Sequence, residues 1–306
     1  MNGNTWTATA AASSSGITGF VNGVAYGKDG AGQGLWVAVG QLGGLITKSL
    51  DGTLWSPAGS TGGLTTNVFG VAYGKNGLGA GLWIAVGQGT IIARSSDGNN
   101  WSGTGSGGLT TRGLGVAYGK DGAGQGLWVA VGQGGLITKS SDGTTWTSAG
   151  STGGLSAVGR SVAYGKDGLG AGLWVVVGGG GIIAKSSDGN TWTPAGNVGG
   201  ITSGRGVAYG KDGAGQGLWV AVGDSSSIAK SSDGNTWTVV GSKGGITTSG
   251  YGVAYGKDDS GAGLWVAIGD GTWMLKSTDG NIWSPVGTMG GLSNLGRGIG
   301  FKTEDV

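Results

Sequence analysis

Cysteine and histidine are both absent from this 306-residue chain. No disulfide can form, so no redox compartment is implied. Zinc centres of the usual Cys/His kind and imidazole acid–base chemistry are excluded too. Proline is scarce at 3, and charged residues are only 11%. That low charge, set beside 14 Trp and 7 Tyr, is the reverse of a disordered composition. A net charge of +2 leaves no broad electrostatic footprint for nucleic acid. No apolar run reaches the length of a membrane span. The opening Met1-Asn2-Gly3-Asn4-Thr5-Trp6 has no basic start and no apolar core, so no signal peptide is expected there. Glutamate is nearly missing, with Glu304 as its one instance.

Glycine is abundant instead, 78 residues in all, without the three-residue period of collagen. The glycines punctuate a long repeat. The run Leu-Trp-(Val/Ile)-(Ala/Val)-(Val/Ile)-Gly recurs with its tryptophan at Trp36, Trp83, Trp128, Trp174, Trp219 and Trp265. Asp-Gly-x-x-Trp recurs at Trp55, Trp101, Trp146, Trp192, Trp237 and Trp283. Val-Ala-Tyr-Gly recurs at Tyr26, Tyr73, Tyr118, Tyr164, Tyr209 and Tyr255. Three markers with one shared period of about 46 residues define a repeat architecture.

Each unit reads as four short strands, A to D, bounded by Gly or Asp-Gly turns, and leaves no room for a helix. In the unit from Gly115 to Arg160, strand A is Val116-Ala117-Tyr118 and strand B is Leu127-Trp128-Val129-Ala130-Val131. Strand C is Leu136-Ile137-Thr138-Lys139-Ser140, and strand D lies around Trp146-Thr147. One such sheet cannot bury both of its faces, whereas sheets stacked radially around an axis can. The expected fold is therefore all-β: a β-propeller of six blades with four antiparallel strands each, as one domain over residues 1–306. A seven-bladed ring and a β-solenoid are the alternatives. The repeats run 23–69, 70–114, 115–160, 161–205, 206–251 and 252–297, with terminal pieces 1–22 and 298–306. Both pieces hold one surplus strand: Asn2 to Trp6 matches strand D, and Gly298-Ile299-Gly300-Phe301 matches strand A. These two could overlap at the seam of the ring, pair with another subunit, or mark a cut from a longer array.

The segment Ser140-Ser141-Asp142-Gly143-Thr144-Thr145-Trp146 and its five counterparts resemble the Asp-box, or BNR, hairpin of sialidases and many non-enzymatic propellers. That family usually has one residue between Asp and Gly, and this chain has none. The resemblance implies a peripheral folding element: a carboxylate holding the turn's N–H groups, a glycine at positive φ and a tryptophan packed over the hairpin. It implies nothing about activity.

Removing the repeated positions leaves few candidates for chemistry. Arg160, Arg205 and Arg297 share one slot, two residues before the first apolar residue of strand A, where other copies have Asn22, Phe69, Leu114 and Tyr251. Guanidinium forks suit a carboxylate, and in sialidases three arginines from separate blades hold one. Those enzymes also need a tyrosine activated by a glutamate and an acidic proton donor. Here the carboxylates deep in the repeats that stand outside repeated slots include Asp224 and Asp270, both at the B–C turn, and neither has an evident partner in sequence. Trp273 stands where other units have Leu, Ile or Ser, as a seam-filling residue or an aromatic platform. The loop Gly-Lys-Asp-Gly-x-Gly-x-Gly offers too few carboxylates for calcium and opens no helix for phosphate, so no metal site and no cofactor are expected.

The reading that follows is a non-enzymatic multivalent binding module, lectin-like, whose candidate ligand contacts are Arg160, Arg205, Arg297, Tyr251, Trp273, Asp224 and Asp270. No catalytic residue is assigned. A structural or assembly protein of a surface, appendage or virion is the alternative, and a sialidase-like glycoside hydrolase is the remote one. The expected partners are a glycan or other surface ligand, or a second copy joined through the terminal strands. Both leading readings favour an extracellular, cell-surface or virion setting.

Overall fold

The computed structural model describes residues 5–6, 19–41, 45–270, 273–286, 288–289 and 297–302. Six four-stranded antiparallel blades follow one another along the chain, each in the order A-B-C-D. Blade 3 is representative, with A at Gly113–Lys120, B at Gly126–Gly132, C at Ile137–Ser140 and D at Thr147–Ser148. Its register runs Val116↔Ala130 between A and B, Ala130↔Thr138 between B and C, and Thr138↔Ser148 between C and D. Helical structure among the described residues amounts to single 3₁₀ turns, such as Gly179–Gly181.

The core is the set of spaces between blades. Strand B is apolar on both faces because both are covered. Leu127, Val129 and Val131 of blade 3 pack against Trp174, Val176, Ala184 and Trp192 of blade 4. The B-strand tryptophans Trp83, Trp128, Trp174, Trp219 and Trp265 are completely buried. Each donates its indole N–H to a lysine carbonyl of the preceding blade, as in Trp128 to Lys75 at 2.9 Å, and stacks obliquely on its own blade's tyrosine, 4.9 Å between centroids for Tyr118 and Trp128. The glycine after that tyrosine has a steric reason. A Cβ on Gly119 would lie 2.2 Å from the Tyr164 ring of the next blade.

The Asp-Gly turns are built as the residue pattern demands. The Asp142 carboxylate accepts from the Thr144 and Thr145 amides at 2.7 and 2.8 Å and from the Ser140 hydroxyl at 2.9 Å. Gly143 takes φ +71°. In the A–B loop the Asp121 carboxylate accepts from the Ala123 and Gln125 amides, so it is engaged in holding the loop. No metal-holding cluster of acidic residues occurs among the described residues, and none of the described helices is long and apolar enough to cross a membrane.

The two surplus segments both lie beside the end of blade 6, Thr5–Trp6 as a strand and residues 297–302 without regular strand structure. Residues 297–302 follow blade 6 and lie beside its A strand and that of blade 1. A Cβ on Gly252 would touch the Arg297 carbonyl, one on Gly256 the Phe301 ring, and one on Gly298 the Gly23 Cα at 2.7 Å. These are the contacts that every other A strand makes with the next. At the periphery Thr5–Trp6 pairs in parallel with Thr288–Met289, just as Thr236–Trp237 and Ile282–Trp283 pair with the crossing segments Asn197–Val198 and Ser242–Lys243. The ring therefore closes through a seventh sector that holds an A place and a D place beside six full blades. A straight solenoid is excluded by that closure, and the described residues build six full blades, not seven.

Candidate functional site

The A strands run from one end of the central channel to the other, and the slot residues begin them. Seven such triplets line the channel cavity of about 180 Å³, headed by Asn22, Phe69, Leu114, Arg160, Arg205, Tyr251 and Arg297. The slot thus becomes a ring at one mouth of the channel. The B–C turns sit at the same end, since Gly204 pairs with Gly223 and Gly250 with Gly269. This brings Asp224 and Asp270 to the rim beside the arginines.

The ring is two-sided. One arc, from blade 4 to the seventh sector, carries Arg160, Arg205, Tyr251 and Arg297. The opposite arc carries Phe69 and Leu114 beside Asn22. Arg205 pairs through its Nε with the Asp224 carboxylate, and its guanidinium lies over the Tyr251 ring, 4.6 Å from the centroid. Arg297 covers the Phe20 ring at 4.5 Å and reaches Tyr251 from 5.8 Å. Tyr251 donates its hydroxyl to Asp270 Oδ2 at 3.2 Å. Arg160 donates to the Ser203 hydroxyl and to the Gly204 carbonyl at 3.4 Å. Asp224 and Asp270, without evident partners in sequence, therefore both have them in the fold.

Charge at this mouth does not cancel. Arg112, Arg160, Arg205 and Arg297 face Asp224 and Asp270, four cations against two carboxylates. Burial, then the neighbouring Arg205 guanidinium, hold Arg160 below its ordinary pKa, although an arginine keeps its proton regardless. Burial pushes Asp224 up, but its bond and charge contact with Arg205 prevail and hold it below the usual carboxylate range. Burial pushes the Tyr251 phenol up, and the hydrogen bond to Asp270 works in the same direction against the lowering influence of Arg205. Two buried polar atoms at adjacent slots, Arg297 Nε and Asn22 Oδ1, have no hydrogen-bond partner among the described residues.

Trp273 does not line the channel but sits behind the ring, beside Gly250 and Gly269. Its indole N–H donates to the Thr248 hydroxyl at 2.9 Å, and its ring packs with the cluster between blades 5 and 6. It packs there between blades 5 and 6, on a blade that borders the seam. The tryptophans of blades 2 to 5, and Trp265 and Trp283 of blade 6, are closed between blades, whereas Trp36 and Trp55 of blade 1 are half-buried. Phe20, Ser203 and Arg112 belong to the mouth without having been singled out. Arg112 did carry a signal, being one of the few basic residues outside the repeated slots.

No protein-family model matches the chain, and no curated protein matches it. Solved structures do. YCF48 bound to a D1 peptide superposes with a TM-score of 0.64 at 16% identity, over 93% of this chain and 86% of that one. The RRP9 WD40 repeats give a TM-score of 0.58 at 10% identity, covering 94% and 85%. A GH74 enzyme of Niastella koreensis gives 0.58 at 17% identity, over 92% of this chain and 40% of the enzyme. At such identities the likeness is one of fold: this chain is a β-propeller.

Proposed function

We propose that this propeller is a non-enzymatic binding module whose channel mouth takes a carboxylate-bearing ligand. The observation that carries the reading is the convergence of Arg160, Arg205 and Arg297 at one slot, with a single carboxylate, Asp224, paired to them. Guanidinium groups left with spare donors in a recess are suited to a ligand carboxylate. The apolar arc of Phe69 and Leu114 opposite them suits an apolar group on the same ligand. The propeller of similar fold that carries a bound peptide supports a peptide as the first ligand class to try. A lectin-like role at this mouth needs an acidic sugar, because no tryptophan that could stack on a neutral sugar is among the residues lining the channel.

The test is a titration of peptides with a free C-terminal carboxylate and an apolar last residue against their amidated forms, alongside acidic and neutral glycans. Carboxylates are expected to bind, and Arg160→Ala or Arg205→Ala to weaken binding about tenfold to a hundredfold, the worth of a charge-assisted bond. Equal binding of amidated peptides or neutral glycans would refute the carboxylate reading.

One geometric feature favours a hydrolase as the second reading, the Tyr251–Asp270 pair beside three arginines. The protonation states oppose it. A phenol whose pKa is raised is a poor nucleophile, and Asp224, held ionised by Arg205, has no proton to donate. Accordingly no turnover of aryl glycosides is expected, and turnover lost in Tyr251→Phe would establish the enzyme instead.

A further inference from the structure

The A–B loops, at the end of the ring away from the channel mouth, depart from their pattern once at the anchoring residue. Five of them anchor on an aspartate, Asp29, Asp121, Asp167, Asp212 and Asp258, whereas blade 2 has Asn76, followed by Gly77. Blade 2 still builds the same loop between its A strand, Val68–Lys75, and its B strand, Gly81–Gly87. Asn76 Oδ1 accepts from the Leu78 and Ala80 amides at 2.9 and 3.0 Å. Asp121 Oδ1 accepts from Ala123 and Gln125 at 2.9 and 2.8 Å in the same way. The main chain is held as well: Asn76 donates its amide to the Ala80 carbonyl at 2.8 Å, and its own carbonyl accepts from Gly79 at 2.9 Å.

An asparagine before a glycine is open to attack on its side chain by the next peptide nitrogen, because glycine has no Cβ to obstruct the approach. The loop adds three conditions. Gly77 is exposed and Leu78, at the apex, is 94% exposed, so water reaches the site. The side-chain carbonyl has two amide donors, against one on the main-chain carbonyl of the same residue. No hydrogen bond among the described residues holds Nδ2, the group that must leave. Asn22 also precedes a glycine, but inside an A strand where Gly23 pairs with Val39. Its Nδ2 donates to the Val68 carbonyl at 2.9 Å, and its backbone turns toward the side chain only if the sheet opens. Asn2 and Gly3 lie outside the described residues.

We infer that Asn76 is a self-modification site, which the loop converts to aspartate with water as the co-reactant. The Gly77 nitrogen gives its proton to solvent and bonds to Asn76 Cγ, and the oxyanion formed on Oδ1 is met by the Leu78 and Ala80 amides. Collapse of that intermediate breaks the Cγ–Nδ2 bond, and ammonia leaves with a proton from solvent. Water then opens the five-membered imide. Addition at Cγ breaks the bond to the Gly77 nitrogen, returns a proton there and gives aspartate with the main chain intact. Addition at the main-chain carbonyl gives isoaspartate, which lengthens the chain by a carbon and takes the carboxylate away from the two amides. Two donors at Cγ against one at the main-chain carbonyl favour aspartate. The product repeats an anchor that five loops already hold, and its charged oxygen accepts more strongly than an amide oxygen.

The test is to age the full chain at mildly alkaline pH and map it by mass spectrometry, with fragmentation that separates aspartate from isoaspartate. A synthetic peptide of residues 73–82 is aged beside it. Asn76 is expected to convert at least about tenfold faster than Asn22, which waits on opening of its strand. Its ratio of aspartate to isoaspartate should exceed the peptide's by about threefold to tenfold, the worth of one additional amide bond. Asn76→Asp supplies the finished product, and its urea midpoint should equal or exceed that of the unreacted chain. Gly77→Ala keeps the loop, since its Cβ meets the Asp142 Cβ at an ordinary 3.5 Å, and should slow conversion severalfold. Conversion of Asn22 ahead of Asn76, or a ratio no higher than the free peptide's, would overturn the assignment.

Discussion

At the residue scale, stability and acid sensitivity both lead to the six turn aspartates. Burial pushes the Asp97 carboxyl up, but amide donors from Asn100 and Asn99 and side-chain donors from Asn100 and Ser95 prevail and bring it to about 2. Asp142, Asp188, Asp233 and Asp279 are lowered in the same way, and Asp51 by its Thr53 and Leu54 donors. The native pKa is thus below the unfolded value of about 3.9. Such groups give their full stability above that value and lose it as pH falls through the native value. Urea midpoints are therefore expected to be flat above about pH 5 and to fall steeply toward pH 2. Replacing Asp142 by Ala removes the acceptor for two amides and a hydroxyl, at a cost of about 1–3 kcal/mol. Asp142→Asn, which keeps an acceptor oxygen, should cost less and flatten the acid limb; a chain whose midpoint is indifferent to pH would contradict the assignment.

At the scale of the strand, two pairs of substitutions separate close packing from backbone conformation. Gly119→Ala drives a methyl into the Tyr164 ring, whereas Gly124→Ala meets nothing within 4 Å and bears only the strain of φ +80°. The first is expected to lose roughly 2–3 kcal/mol or more and the second about 1, read from equilibrium unfolding. Trp128→Ala should cost about 3–5 kcal/mol, and Trp36→Ala clearly less, since Trp36 is only half-buried. Equal losses would mean that the seam is packed as tightly as the interior. Strands A, B and C were legible because a tripled marker on one period leaves little freedom. The parallel two-residue pairings, such as Asn197–Val198 with Thr236–Trp237, were not, since so short a contact imposes no alternation on its residues. The arginine slot was legible as a list of non-repeated residues. Its meaning as a ring was hidden, because the angular order of seven strands around an axis is a property of closure and not of any local pattern. Asp224 and Asp270 found their partners for the same reason: Arg205 and Tyr251 lie 19 positions away along the chain but adjacent across the A–B pair.

At the scale of the whole molecule, closure is what makes six thin sheets one cooperative body. In a repeat array each unit is stabilised by its two neighbours, and an end unit has one. A closed ring removes the ends, but here closure runs through a sector in which the described residues supply only the inner and outer places. Blades 6 and 1 consequently have one complete neighbour and one partial neighbour, while blade 3 has two complete ones. Local opening should follow that difference, because the free energy of opening tracks the contacts broken. Native-state hydrogen exchange is expected to be fastest in the B strands of blades 1 and 6, Gly34–Gly40 and Gly263–Gly269, and slowest at Gly126–Gly132, by about tenfold or more. Removing residues 1–6 deletes the strand that pairs with Thr288–Met289 and should steepen that gradient without altering exchange in blade 3. Uniform protection around the ring would show that the seventh sector transmits stability as fully as a complete blade, and that its two strands alone are enough to close the circle.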